Sequence, residues 1–171
     1  MIRYRRLYES ESDSYKIGDV IDYAGHEWYI IGKQDNTVTL FIKNKDFNRY
    51  FFHKKSYKDG YRNPNDYKTS AIRKHLHFKI LPELIKNGAK PIPTNLPDVD
   101  CTDKIWLLSR EERENLPDDV AYFPNDIWWL RSPGENSDSA AISLYSGDSA
   151  KTSTYFSVRP AIRVRIEDLE G

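Results

Sequence analysis

Trp128-Trp129-Leu130-Arg131-Ser132-Pro133-Gly134 is the stretch on which a fold assignment turns. Two adjacent indoles and a leucine bring large apolar area, and aromatic side chains dominate core energetics. An arginine follows at once, so its guanidinium starts beside or inside the core. There it needs fixed acceptors, and its planar fork suits carboxylates or backbone carbonyls. Pro133-Gly134 ends the strand and turns the chain. A second stretch answers the first. Ser157-Val158-Arg159-Pro160-Ala161-Ile162 again sets an arginine and a proline after an apolar residue, then runs into alternating strand. Pro160 has no N–H, which suits an edge strand or a bulge. Trp128, Trp129, Arg131 and Arg159 are read as internal staples of the fold, with ligand contact by either arginine as the alternative.

A chain of 171 residues is one domain's worth and can bury a sizeable core. With 12 Tyr and 4 Trp, the composition favours strands and aromatic-lined surfaces over helical packing. Formal net charge is zero but unevenly placed. Residues 1–90 hold 18 Lys/Arg against 11 Asp/Glu, and residues 91–171 hold 8 against 15. Either the halves lie together and neutralise each other, or a basic face awaits an anionic partner. The single cysteine, Cys101, rules out an intramolecular disulfide and fits a reducing compartment. No apolar run approaches the roughly 18 residues of a membrane span, and no apolar h-region follows the charged N-terminus. The reading is a soluble, cytoplasmic chain with no membrane partner; a protein released by lysis has the same signature.

Taken in order, residues 1–15 read as a loose polar arm and 16–171 as one domain. Tyr15 to Lys43 is a meander. It has a turn at Tyr23-Ala24-Gly25-His26, a strand over His26–Gly32, a polar turn at Gln34-Asp35-Asn36 and a β-branched strand over Thr37–Ile42. Residues 43–69 interleave Lys and Arg with Phe and Tyr. Thr69-Ser70 caps a helix whose Ile72, Leu76 and Ile80 share a face, Pro82 starts a second short turn, and Gly88 stops it. Residues 90–100 read as an extended crossing segment and Asp98, Asp100 and Asp103 as a solvated acidic turn, since the EF-hand Gly and Glu positions hold Asp103 and Ser109. Lys104–Leu108 is a buried strand, and Ser109-Arg110-Glu111-Glu112 a capping box opening a short helix. Ala140–Tyr145 and Thr152–Ser157 form a hairpin, and Val158–Val164 closes the sheet.

The paired arginine stretches resemble an uncharacterised domain family of Gram-positive bacteria and their phages. Its members carry a WWLRSPG-like segment, a variable Gly/Ser/Tyr-rich hairpin and a GVRPAL-like closing strand. That family is similar in turn to the C-type-lectin-like fold of phage receptor-binding and formylglycine-generating-type proteins. Trp128 to Gly134 matches in full, and Val158-Arg159-Pro160-Ala161 matches with Ser157 replacing the usual Gly. Ile17-Gly18-Asp19-Val20-Ile21, Trp28 and Thr102–Ser109 extend the likeness over roughly residues 16 to 166. The resemblance implies an α+β, C-type-lectin-like architecture of mostly antiparallel twisted sheets with two or three short helices. It carries no activity with it.

The candidates for chemistry are few. The chain has no Gly-rich phosphate loop, no HExxH and no GxSxG. Cys101 stands between Asp100 and Asp103, which raise a thiol pKa rather than lower it. His75 and His77 are two apart and do not share a helix face. No catalytic residue, cofactor or metal is assigned, and enzyme activity is left open without being favoured. In C-type-lectin-like folds the loops between signature and closing strands form the recognition face. Here these hold Asn136, Asp138, Tyr145, Asp148, Tyr155 and Phe156, with Tyr122 and Asp126 just before. Tyr, Ser, Asn and Gly are the substance of adaptable binding loops. The lectin calcium motifs Glu-Pro-Asn and Trp-Asn-Asp are absent, so calcium-dependent sugar binding is not implied. The expectation is a recognition module for a protein or glycan partner, oligomeric state open. The alternative is a nucleic-acid or anionic-partner face over residues 43–79, with Lys54, Lys55, Tyr57, Lys58, Tyr61 and Arg62, where 11 basic residues meet 3 acidic ones.

Overall fold

The computed structural model describes residues 14–43, 47–54, 63–121, 127–143 and 148–170. Two tight turns build the first layer. Ala24-Gly25 joins β1 (Val20–Tyr23) to β2 (His26–Gln34), and Asp35-Asn36 joins β2 to β3 (Thr37–Ile42). Ala24 and Gly25 both have positive φ, 50° and 80°, the backbone sense that lets a two-residue turn follow the twist of its strands. In β2 and β3 the register pairs Trp28 with Ile42 and Ile30 with Leu40, and these four side chains are fully buried. The closing strand β12 (Pro160–Arg165) runs antiparallel beside β3.

Pro160 sits on an interior strand, not an edge. The sheet order is β1-β2-β3-β12-β7, where β7 is Trp106–Leu107. Proline is tolerated because it is the first residue of β12. It pairs only with Leu107 of β7, and the ladder to β3 begins at Ala161.

Ser70 caps the main helix, its hydroxyl accepting from the Arg73 N–H at 3.1 Å. The helix then runs unbroken through Pro82, as α1 (Ala71–His75), a π turn (Leu76–Ile80) and α2 (Leu81–Lys86). Ile72, Leu76, Ile80 and Leu84 repeat every four residues and are all buried. At about 3.6 residues per turn such a repeat drifts by about 40° at each step. The wider π turn, closed by the Leu81 N–H to the Leu76 carbonyl, removes that drift and leaves room for the proline ring. Gly88, at φ 97°, ends the helix.

The later half corrects two expectations. Residues 90–100 are not a plain crossing segment: β5 (Thr94–Leu96) pairs with β6 (Cys101–Asp103). The return strand of the last hairpin lies at Ser149–Lys151, ahead of the expected Thr152–Ser157, and the return path is split. β10 (Ser149–Lys151) pairs with β9 (Ser139–Ile142), but β11 (Tyr155–Phe156) leaves to pair with β4 (Tyr50–Phe51). The split falls at Thr152, whose N–H and carbonyl are taken by Asp138 and His53, and the chain turns with Thr154 N–H on the Lys151 carbonyl. The capping box at Ser109 and Glu112 opens α3 (Arg110–Glu114), and α4 spans Asp118–Ala121.

The two charge-unbalanced halves are joined by ion pairs. Lys68 meets Asp100 at 2.9 Å, Arg73 meets Asp103 at 2.7 Å, and Lys90 meets Asp168 at 4.0 Å. Asp103 is buried, so the solvated reading fails for this member of the acidic cluster, while the Asp100 side chain stays 92% exposed. Short helices with several antiparallel sheets make the architecture α+β.

Candidate partner-binding face

β8 (Trp129–Pro133) carries the signature residues. Its register against β9 moves from Trp129↔Ile142 to Pro133↔Ala140, so two extra residues bulge from β8. A bulge re-aims side chains, and Arg131 lies within it. Its backbone N–H reaches the Leu108 carbonyl at 2.9 Å, and its guanidinium is bidentate on Asp98, with Nε to Oδ2 and Nη2 to Oδ1 both 2.9 Å. Nη1 donates to the Leu107 carbonyl at 2.9 Å and pairs with Glu112. That same Glu112 carboxylate accepts the Ser109 N–H of the capping box. Burial works against the Arg131 charge, but Asp98 and Glu112 outweigh it and raise the guanidinium pKa. Around this cluster opens a cleft of about 650 Å³, rimmed by Glu111, Glu114, Arg110 and Ser132.

Arg159 is fully buried. Nη2 donates to the Ile42 carbonyl at 2.9 Å, and the guanidinium carbon lies 4.3 Å from the Phe41 ring centroid and 5.1 Å from that of Trp128. Trp128 is bridged in parallel to Ser157, so the signature and closing stretches are adjacent in space.

Trp129 organises the surface. Its Nε1 donates to the Tyr50 carbonyl at 2.9 Å, and its ring meets Phe52 and Phe156 edge-on at 5.5 and 5.0 Å. This holds β4 against β11, pairing Phe51 with Tyr155 and Tyr50 with Phe156. Tyr50 stacks on Phe51 at 4.3 Å and on His75 of α1 at 3.9 Å. Two rings at those separations cannot share one face, so Tyr50 is the middle of a three-ring column. Tyr155 meets the Phe51 end edge-on at 5.6 Å and is 55% exposed. Burial, then Lys79, lowers the His75 pKa. The neighbouring loops are stitched together by His53 N–H to Thr152 O at 3.0 Å and Asn65 Nδ2 to Asn136 O at 3.0 Å.

Residues 36–166 match the family model described as Domain of unknown function (DUF6273). The chain belongs to the DUF6273 family. No curated protein and no solved structure matches it. The DUF6273 match begins at the β2–β3 turn, yet Trp28 of β2 is fully buried in the same sheet, so the structural unit starts earlier than the matched segment.

In this DUF6273 chain the two faces read as alternatives from sequence adjoin. Tyr155 and Phe156 come from one, Tyr50, Phe51 and Lys54 from the other. Asp138 lies beside this junction through Thr152, and Asn136 is tied to Asn65. Asp148 is held elsewhere, its carbonyl accepting from Ile142 N–H at 3.1 Å and Arg110 Nη2 at 3.5 Å. Tyr122, Asp126, Tyr145, Lys55, Tyr57, Lys58, Tyr61 and Arg62 lie outside the described residues, as do residues 1–13. Sequence reasoning missed the Arg131 cleft and His75. The available signals were the capping-box glutamate shared with Arg131 and the aromatic run preceding the helix.

Cys101 is buried, and burial first, with Asp103 adding, raises its thiol pKa while Arg73 opposes. Among the described residues, no group of three or more His, Cys, Asp or Glu is placed to hold a metal ion. Among the described helices, none is long and apolar enough to cross a membrane.

Proposed function

We propose that this chain is a non-enzymatic recognition module on a C-type-lectin-like scaffold, of bacterial or phage origin, that binds a protein or glycan partner. The face it uses is the junction of β4 and β11 with the loops around Asn136 and Asp138. The observation that carries the reading is the antiparallel pairing of Tyr155 with Phe51. It fuses two aromatic segments into one surface, capped by a tyrosine that is 55% exposed. Tyrosine offers large contact area at low entropic cost, which suits both glycan stacking and protein contact. Work in a cytoplasm, or release by lysis, completes the proposal.

The test is a glycan array together with pull-down from bacterial lysate, comparing wild type with Tyr155→Ala and with Lys54→Glu. A partner bound by wild type and lost by Tyr155→Ala, at an unchanged melting temperature, supports the reading. A partner retained equally by both variants overturns the assignment of this face.

A second reading has its own support. Arg49, Lys54, Lys74, Lys79 and Lys151 are all exposed and lie on the segments that build or flank the ring column. Cations beside stacked rings suit a single-stranded nucleic acid. Steep loss of labelled single-stranded DNA binding with added salt supports it. Absence of any shift at low salt removes it.

A further inference from the structure

The helix over residues 71–86 has a second line of side chains that the fold does not use. The register that turns Ile72, Leu76, Ile80 and Leu84 inward turns Lys74, Phe78, Pro82 and Lys86 outward, every four residues, along the opposite side. Phe78 is 74% exposed, and Ile85 beside this line is 48% exposed. The other described phenylalanines are buried or half-buried, yet this one stands at the crown of a helix. Lys74 stands before it, Lys86 after it and Lys79 on its flank, all exposed, with Glu83 the one acid of the outward surface.

We propose that this crown docks on an anionic membrane surface, with Phe78 and Ile85 entering the headgroup–acyl boundary and Lys74, Lys79 and Lys86 meeting lipid phosphates. Lying on a bilayer is a different state from spanning one, so the shortness of the helix does not bear on it. A second copy of the chain is the weaker occupant, because each crown carries Lys74, Lys79 and Lys86 against Glu83 alone and two crowns together leave a positive seam. An acid-rimmed groove on a protein is the weaker fit. Lys79 and Glu83 fall on the same flank with opposite charge, and a wall of fixed acids cannot spare Glu83, whereas a fluid layer of mixed lipids can set a neutral headgroup there. A planar anionic layer meets the three lysines together and is attracted by their net excess. The long lysine stems lie along the apolar anchors while the ammonium groups reach the phosphates. Lys74 and Lys79 also flank the ring column, but Phe78 makes none of the column's ring contacts, so the Phe78 variants test this proposal apart from the Tyr155 face.

The experiment is co-sedimentation of the full chain with phosphatidylglycerol/phosphatidylcholine vesicles and with pure phosphatidylcholine vesicles. Wild type binds the anionic vesicles in a salt-sensitive way and does not bind neutral ones. Phe78→Ala and the Lys74→Glu/Lys86→Glu pair each weaken binding by at least about fivefold. All three sites are exposed, and melting temperatures check that the variants fold. A Phe78→Trp variant gives an independent reading. The four native tryptophans, Trp28, Trp106, Trp128 and Trp129, are 0–2% exposed. Iodide quenching therefore reports the introduced indole, and anionic vesicles protect it. Quenching of the Phe78→Trp variant that vesicles leave unchanged, equal binding of Phe78→Ala, or equal binding to neutral vesicles overturns the proposal. So does a Phe78-dependent dimer without lipid, or retention on an immobilised acidic amphipathic peptide without vesicle binding.

Discussion

Trp129 and Tyr50 are joined by one hydrogen bond, from the indole Nε1 to the Tyr50 carbonyl at 2.9 Å. That bond ties the signature strand to the aromatic surface. Trp129→Phe keeps a ring in the pocket but removes the donor and leaves the Tyr50 carbonyl unsatisfied there. The expected cost is about 1–3 kcal/mol in urea denaturation. Hydrogen exchange distinguishes this from a general loss of packing. The His53 amide, bonded across to Thr152, is expected to exchange faster by a larger factor than the amides of β3. Uniform acceleration across both strands contradicts a local tie.

Arg131→Lys is expected to behave almost as badly as Arg131→Ala. A lysine keeps the charge but cannot fork onto both Asp98 oxygens while also reaching Leu107 O. Breaking a buried pair costs several kcal/mol. Here the Asp98 and Glu112 side chains are 42% and 36% exposed and can rehydrate, so about 3 kcal/mol is expected. Chemical denaturation of the two variants side by side checks it, and a lysine variant close to wild type contradicts it.

The helix and the first two hairpins were legible in the sequence because their signals are local. Ser70, the Ile72/Leu76/Ile80 repeat and the turn pairs Ala24-Gly25 and Asp35-Asn36 lie within a few residues of what they control. Mixed α+β character followed from them. The junction of β4 with β11 was not legible, because it joins Phe51 to Tyr155 across a hundred residues and each strand is only two residues long. The pattern of Thr152–Ser157 is equally compatible with one continuous return strand. Only the placement of Asp138 and His53 around Thr152 decides otherwise. Asp98, Asp100 and Asp103 invited a solvated reading for the same reason: their partners Arg131, Lys68 and Arg73 are remote in sequence.

Gly134→Ala tests why the signature ends in glycine. Its φ is not in the left-handed region, so the constraint is space. A Cβ there falls 2.5 Å from the Ser149 Cβ and collides with Ser139, the first residue of β9. Backbone and a short side chain cannot both retreat without parting β9 from β10. The expected loss is about 1–3 kcal/mol, as for overpacking elsewhere. Gly88→Ala makes the contrast: a Cβ at Gly88 meets nothing within 4 Å, so its cost comes from the positive φ alone. Crystal structures or strand-specific exchange of the two variants separate the cases, with β9–β10 disturbed only by the first.

His75 should make the aromatic face sensitive to mild acid. Burial, and then Lys79, holds its folded pKa below the ordinary histidine value. As pH falls, the unfolded chain takes up this proton first, near about pH 6.5. The unfolded state then binds more protons than the folded one, so stability declines with acidification. The contribution is whole above about pH 6.5 and is lost progressively below it. The stacked Tyr50 ring at 3.9 Å favours the charged imidazole, so it is burial and then Lys79 that oppose protonation in the column. Melting temperatures at pH 7.5 and 5.5 report the sum over all histidines. The informative quantity is therefore the difference between wild type and His75→Phe, which keeps a flat ring without the proton. A shallower acid slope in His75→Phe is the expected result. Parallel slopes mean that His75 titrates alike in the folded and unfolded chain and is not held neutral by the site.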